Sequence, residues 1–301
     1  MKNFFSIKSN SLQAGFARPA TVGRIFAIIF CGLPLIASAA SAEPIYPWRN
    51  SEAAPIDHLQ SRFTPPQGFA RKAARERSFA TWLRNLPLKP RGTAVHLFDG
   101  NLKFNQSAHA AVIDIDVGKR DLQQCADAVM RLRAEYLYGL DRFGDIHFNF
   151  TDGTKVAFSR WQRGDRPKMS GRKTRWRRGG KTGYDRKNFK RYMTMIFSYA
   201  GTYSLARELK PVHIRELQAG DVFIKGGFPG HAIIVADVVV SPTSGEKRFL
   251  LIQSYMPAQD MHVLNNPNSA DGSPWYELAE GDELVTPEWT FTWSDLKRFG
   301  G

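Results

Sequence analysis

Residues 214–240 read IRELQAGDVFIKGGFPGHAIIVADVVV, and this stretch largely decides the fold. Two apolar runs, 221–224 and 231–240, flank a turn that is rich in glycine and proline. Apolar runs bounded by such turn residues are typical of buried β-strands. A third run, KRFLLIQSY at 247–255, follows the turn SPTSGE. Because consecutive strands with short connections pair antiparallel, this part of the chain predicts an antiparallel sheet.

The chain before this sheet is predicted to have a mixed α/β order. Apolar residues recur at helical spacing in 75–88, in 121–138 and in 189–210, where Gly201 predicts a break. A strand is expected at 110–117, and a hairpin around Asp152-Gly153. Helices first and an antiparallel sheet afterwards predict a single α+β domain at 43–301.

The first 42 residues have the composition of an export signal. They contain four basic residues and no acidic residue, followed by an apolar run from Ile25 to Ile36 and by Ala40-Ser41-Ala42. This order predicts a signal peptide at 1–42, with a retained membrane anchor as the weaker alternative. The apolar run is shorter than the roughly 17–25 residues of a transmembrane helix. We expect a periplasmic or secreted protein that has no transmembrane segment after cleavage.

Cys125 is the one cysteine of the predicted mature chain, because Cys31 lies in the leader. It belongs to DLQQCADAVMRLRAEYLY at 121–138, where Asp121 and Gln124 predict a capping box that starts a helix. The N-terminus of a helix lowers the pKa of a thiol, so this position suits a nucleophile. The cysteine also lies on the apolar stripe of the helix, which suits a buried core thiol.

Basic residues are concentrated between Arg160 and Arg191. This stretch contains fourteen Lys or Arg against two Asp, in a chain whose net charge is +14. We interpret it as a basic insertion with a candidate anion-binding group: Arg172, Lys173, Arg175, Arg177 and Arg178. A solvated loop is the alternative. Trp161 and Trp176 would suit stacking on sugars or bases, but no recognised nucleic-acid-binding motif is present, so an envelope polyanion is the favoured partner.

The glycine-rich turn followed by a histidine at the start of a strand resembles the NlpC-like and CHAP-type members of the papain-related cell-wall peptidases. In those families a cysteine near the start of a helix precedes the sheet, and a polar residue lies on the strand after the histidine. The resemblance implies a papain-like fold, in which the antiparallel sheet packs against the cysteine-bearing helix. It also implies amide hydrolysis or acyl transfer, with cell-wall peptide as the substrate class.

Carried over to this chain, the resemblance makes Cys125 the nucleophile, His231 the base and Gln253 the orienting residue. An adjacent imidazole activates a cysteine, and a third group fixes the tautomer of that imidazole. Backbone N–H groups at the helix start, together with Gln123 or Gln124, would stabilise an oxyanion. Cys125 and His231 are 106 positions apart, which requires the basic segment to be an insertion. Other polar candidates for the third position are Asp237, Ser254 and His262.

A second resemblance covers most of residues 44–298. It is to the bacterial family called domain of unknown function 4846, and it supplies no activity. The segments that carry it are YPW, NQSAHAAV, DLQQCADAVMRLRAEYLY, the GDVFI to GHAIIV block, QSYMPAQ and PWYEL. The basic segment provides the alternative to a hydrolase, which is a non-catalytic envelope module that binds anionic polymers through this segment.

Metal and cofactor motifs are absent from the sequence. The histidines are scattered without H-x-x-x-H spacing or clustered carboxylates, so we predict no metal site. The G-x-S-x-G nucleophile motif and the phosphate-binding glycine loop are also missing, and we predict no cofactor.

Overall fold

The computed structural model describes residues 46–49, 57–278, 281 and 283–300, and the predicted signal peptide lies outside them. The helices are α1 (Leu59–Arg62), α2 (Phe79–Arg84), α3 (Cys125–Gly139), α4 (Phe158–Trp161), α5 (Arg186–Tyr199) and α6 (Thr202–Glu208). The first strands are β1 (Asp57–His58), β2 (Ala70–Arg71), β3 (Pro87–Leu88), β4 (His109–Val112), β5 (His147–Asn149), β6 (Lys155–Ala157), β7 (Arg166–Ser170), β8 (Lys173–Arg177) and β9 (Lys210–Pro211). The remaining strands are β10 (Val222–Lys225), β11 (His231–Val240), β12 (Lys247–Gln253), β13 (His262–Leu264), β14 (Tyr276–Glu277), β15 (Glu283–Val285), β16 (Thr290–Thr292) and β17 (Leu296–Arg298).

The main sheet is antiparallel and has the strand order β4-β13-β12-β11-β10-β17-β9, with β2 against β11 and β14 against β12. The three apolar runs that decide the fold form β10, β11 and β12. Phe223 pairs with Ile233, and Ile234 pairs with Ile252. The predicted antiparallel sheet and the α+β class are therefore confirmed.

Both faces of the main sheet are covered, and β11 contributes to both cores. Ala232 and Ile234 pack into a large cluster with the helices, to which α3 contributes Ala126 and Val129. Ile233 and Val235, which alternate with these two residues along the strand, pack on the other face in a cluster that includes Phe291 of β16. Since successive side chains of a strand point to opposite faces, a continuous apolar strand is required here.

Helix α3 begins at Cys125, so the predicted cap at Asp121 is wrong. The carboxylate of Asp121 instead accepts hydrogen bonds from the backbone N–H of Ala258 at 2.7 Å and from Gln124 Nε2 at 2.9 Å. The backbone N–H of Gln124 donates to Asp127 at 3.1 Å. This arrangement fixes the first turn of α3 against the segment that follows β12.

The other local predictions were confirmed in kind, with one strand shorter than expected. The helical pattern across 189–210 divides into α5 and α6, which are separated at Ala200-Gly201. Strands β5 and β6 form the hairpin around Asp152-Gly153, where Gly153 has a φ of +84°. The strand expected at 110–117 ends at Val112.

A buried ion cluster joins α3 to the start of α5. Glu135 is 0% exposed, and its carboxylate accepts from Arg131 Nε at 2.6 Å. The two terminal nitrogens of Arg186 donate to the same carboxylate at 2.5 Å each. Fork-like pairing of this kind satisfies a buried carboxylate that would otherwise be strongly destabilising.

Candidate active site and cationic hairpin

The structure brings two of the three predicted catalytic residues into direct contact. His231 opens β11 and Gln253 ends the adjacent strand β12, and both are 1% exposed. His231 Nε2 lies 3.0 Å from Gln253 Oε1. Because the amide oxygen can only accept, Nε2 carries the proton and Nδ1 carries the lone pair.

Glu288 fixes the orientation of the Gln253 amide, and the sequence patterns did not identify it. Gln253 Nε2 donates to Glu288 Oε2 at 2.6 Å and to His262 Nε2 at 3.2 Å. The ammonium of Lys103 pairs with the other oxygen of Glu288. A carboxylate cannot donate when ionised, so it selects the amide NH₂ and turns the amide oxygen towards His231. The chain Lys103–Glu288–Gln253–His231 therefore sets the histidine tautomer.

Aromatic side chains surround the imidazole of His231. Its ring centroid lies 4.8 Å from that of Tyr255, 5.4 Å from that of Trp289 and 5.8 Å from that of Phe291. Burial lowers the pKa of His231 to about 4, and the hydrogen bond that its Nε2 donates to Gln253 opposes this shift only in part. The imidazole is consequently neutral at pH 7 and able to accept a proton.

Cys125 lies beside this group without a hydrogen bond to the imidazole among the described residues. The backbone N–H groups of Ala126 and of Ala232, the residue after His231, lie close enough to the sulfur to lower the pKa of the thiol. The His231 ring packs against Phe291 on the opposite face of the sheet from α3. The cysteine and the histidine thus lie near the same end of β11, on opposite faces of the sheet.

The resting thiol is not activated in this conformation. Cys125 is 9% exposed, and burial, followed by the nearby Asp127, raises its pKa to about 11. The N–H groups at the start of α3 act in the opposite direction but do not outweigh burial. The helix terminus therefore acts in the expected direction, but desolvation of the thiolate exceeds its effect, so the net pKa is raised and not lowered.

Of the two glutamines expected near an oxyanion, Gln123 is the one whose buried side-chain nitrogen, Nε2, has no partner in the described residues. Gln124 Nε2 is bonded to Asp121. Gln123 is 2% exposed, and Arg131 Nη1 donates to its Oε1 at 2.9 Å. The backbone carbonyl of Gln123 accepts a hydrogen bond from Ser254 Oγ at 3.1 Å, which links Gln123 to the residue after β12.

The basic insertion contains an ordered β-hairpin formed by β7 and β8, which we call the cationic hairpin (Arg166–Arg177). The five predicted anion-binding residues lie on β8, on its turn or just after it, and all are exposed: Arg172, Lys173, Arg175, Arg177 and Arg178. The register places Lys168 opposite Arg175, and Arg166 opposite Arg177. Like charges directly opposite each other on a strand pair are destabilising.

The charge of this hairpin is largely unneutralised. Asp165 pairs with Arg160 at 3.0 Å and with Arg178 at 3.8 Å. For Lys168, Lys173 and Arg175, no acidic partner lies within salt-bridge distance in the described residues. A surface that retains opposed cations without acidic partners is suited to bind an anion.

The two tryptophans of the insertion are not available for stacking on a ligand. Trp161 is 4% exposed, and the guanidinium of Arg166 lies 3.8 Å from its ring centroid. The guanidinium of Arg160 lies 3.7 Å from the ring centroid of Trp176. The interpretation of these rings as a platform for sugars or bases is therefore not supported by their environment.

Metal binding and membrane crossing have no structural counterpart in the described residues. No group of three or more His, Cys, Asp or Glu side chains there could hold a metal ion. None of the helices within those same ranges combines the length and apolar character needed to cross a bilayer.

Comparison with known proteins identifies a family. No curated protein and no solved structure matches the chain, so the resemblance to NlpC-like and CHAP-type peptidases gains no support from them. The model of one family, described as domain of unknown function (4846), matches residues 59–298. This range contains the cysteine helix, the cationic hairpin and the strands that carry His231 and Gln253. The chain belongs to the family named domain of unknown function 4846.

Proposed function

We propose that the protein is a papain-like cysteine hydrolase that cleaves an amide, or transfers its acyl group, through a thioester at Cys125. The observation that carries the proposal is the 3.0 Å hydrogen bond between His231 Nε2 and Gln253 Oε1. It leaves the Nδ1 lone pair of a neutral imidazole for proton transfer. The position of Cys125 at the start of α3, next to Ala232, supplies the sulfur.

In this reaction His231 Nδ1 takes the proton of the Cys125 thiol while the sulfur attacks the amide carbon. The resulting oxyanion is stabilised by backbone N–H groups at the start of α3 and by Gln123 Nε2. The imidazolium then gives its proton to the leaving amine, and the C–N bond breaks to leave a thioester. Water, deprotonated by the same imidazole, hydrolyses the thioester and restores the thiol.

The resting pair is neutral, so proton transfer must accompany the attack. A thiol with a pKa of about 11 and an imidazole with a pKa of about 4 do not form an ion pair at pH 7. Because the His231 ring and α3 lie on opposite faces of the sheet, the thiol–imidazole contact requires the start of α3 and the end of β11 to rearrange on substrate binding. Catalytic hydrogen bonds are often long or misaligned in apo structures and tighten in the substrate complex.

Cell-wall peptide is the proposed substrate class, by resemblance to the NlpC-like and CHAP-type families alone. Export to the periplasm or the medium belongs to the same proposal and rests on the composition of residues 1–42. Mass spectrometry of the protein recovered from its native host should then show an N-terminus at Glu43.

The test uses peptidoglycan stem peptides and purified protein. We expect new free amines, detected by mass spectrometry, and a covalent adduct on Cys125 with an electrophilic peptide probe. Cys125→Ala and His231→Ala should each abolish product, whereas Lys119→Gln, which changes an exposed residue, should not. Product formation that survives Cys125→Ala would overturn the proposal.

A second candidate function is binding of an envelope polyanion through the cationic hairpin. The opposed pairs Lys168–Arg175 and Arg166–Arg177 favour it. Retention of the protein on an anionic polymer should decrease when Lys173, Arg175 and Arg177 are all changed to Gln. Retention that is unchanged in this variant would remove the candidate.

A further inference from the structure

Large apolar side chains exposed to solvent are concentrated on the segments that adjoin the His231–Gln253 pair. The described residues expose seven such side chains, and four of them lie on three of these segments: Leu102, Phe104, Phe228 and Met256. Phe104 is 105% exposed and Phe228 is 86% exposed, so neither contributes to a core. Exposed apolar groups that cluster in this way mark an interaction surface.

Hydrogen bonds hold these segments close to one another. Leu102 and Phe104 flank Lys103, whose ammonium binds Glu288 next to Gln253. Phe228 lies three positions before His231, and Met256 lies three positions after Gln253. The backbone N–H of Phe98 donates to the carbonyl of Ala258 at 2.8 Å, which joins the first segment to the third.

The Phe228 segment also adjoins the cationic hairpin. Phe228 and Met169 of β7 line one cavity of about 290 Å³, together with Tyr199. Asp152, which lines the same cavity, accepts from the backbone N–H of Thr174 at 2.8 Å and from its hydroxyl at 2.7 Å. Phe228 therefore lies beside the cationic hairpin, in which the unpaired cation Lys168 adjoins Met169 in sequence.

We infer that the three apolar segments and the cationic hairpin form a docking surface for an anionic lipid bilayer, an inference that rests on the second candidate function. Unpaired Lys and Arg attract anionic headgroups, and Phe, Leu and Met side chains enter the boundary of the acyl chains. A hydrated polymer would leave Phe104 and Phe228 in water. The covered faces of Trp161 and Trp176 further disfavour a sugar polymer.

Vesicle sedimentation with the whole protein tests this inference. Two vesicle compositions are used: phosphatidylcholine alone, and phosphatidylcholine mixed with phosphatidylglycerol, at about 0.15 M salt. The wild-type protein should bind only the mixed vesicles. A hairpin variant, in which Lys173, Arg175 and Arg177 are Gln, should bind them roughly a hundredfold more weakly, since each cation near the surface contributes about a fivefold factor.

An apolar variant with Leu102→Ser, Phe104→Ser and Phe228→Ser tests the second half of the surface. It should bind at least about a hundredfold more weakly, because each of the two inserted phenylalanines adds on the order of tenfold or more. Two matched controls should bind as the wild type does. One carries Lys72→Gln, Lys119→Gln and Lys210→Gln at exposed positions, and the other carries Val285→Ser at an exposed apolar position.

The outcomes separate this inference from the function on which it rests. If the apolar variant binds mixed vesicles as the wild type does, while the hairpin variant loses binding to both vesicles and dextran sulfate, the apolar segments do not enter the bilayer. The inference then fails, and polyanion binding through the cationic hairpin stands. If the wild type binds neither vesicles nor dextran sulfate, the bilayer inference and the second candidate function both fail. Thermal unfolding of each variant should match the wild type, since the substituted side chains are exposed.

Discussion

Glu288 Oε2 accepts a hydrogen bond from Gln253 Nε2 at 2.6 Å, and this contact determines which nitrogen of His231 carries its proton. Without the carboxylate, the Gln253 amide could rotate and present its NH₂ to the imidazole. His231 Nδ1, the atom that would have to receive the thiol proton, would then carry the hydrogen instead. Gln253 and Glu288 are 35 positions apart in the sequence, yet the protonation of His231 depends on their contact.

We therefore expect Glu288→Gln to change the tautomer of His231. The wild-type protein should show one tautomer, protonated at Nε2, in ¹⁵N NMR of the imidazole, whereas the variant should show a mixture. The variant should also lose about 2 kcal/mol of unfolding free energy, because Lys103 loses its charged partner. Glu277→Gln, at an exposed residue paired with Arg248, is the matched control. An unchanged single tautomer in Glu288→Gln would contradict the role given to this carboxylate.

Alkylation of Cys125 should be slow in the native protein at neutral pH. With its pKa raised to about 11 by burial and by Asp127, the thiol is protonated below pH 9, and the thiolate is the reactive form. The rate with iodoacetamide should increase steadily up to about pH 11, whereas the denatured protein should show the ordinary midpoint of roughly 8.5. Cys125→Ser provides the blank. Native labelling that reaches its plateau near neutral pH would show an activated thiolate and contradict the geometry of the resting site.

The buried cluster between α3 and α5 should be a main contributor to stability. Among the described residues, Glu135→Ala leaves Arg186 without an acidic partner. It leaves Arg131 with Asp116 alone as an acidic partner there, at 3.3 Å, and loss of one partner of a buried ion pair costs about 3–5 kcal/mol. Urea unfolding should show this as a lower midpoint with an unchanged slope. Glu76→Ala, at an exposed position, should stay within about 0.5 kcal/mol of the wild type. A cost below about 1 kcal/mol for Glu135→Ala would mean that water already solvates the cluster.

The sequence predicted those parts of the site that depend on local pattern. The continuous apolar run and the turn at 226–230 place His231 at the start of a strand, and Gln253 follows from the next apolar run in the same way. Contacts between distant residues carry no such signal. Asp121 looked like a helix cap but bonds to Ala258, which is 137 positions away, and the helix therefore begins four residues later. The role of Glu288 and the burial of Trp161 likewise depend on tertiary neighbours that no local pattern encodes.

Acid should destabilise the protein through His231 and His262. Burial lowers their pKa values to about 4 and about 3, from an ordinary value of 6.5. Between pH 6.5 and about 4 the unfolded chain therefore binds protons that the folded chain does not. The stabilising contribution is complete above pH 6.5 and is lost as the pH falls towards 4, by about 3 kcal/mol for His231. His262→Gln should flatten the decrease in urea midpoint over this range, whereas His213→Gln, at an exposed position, should not. An equal slope in the wild type and in His262→Gln would show that His262 already binds its proton in the folded state.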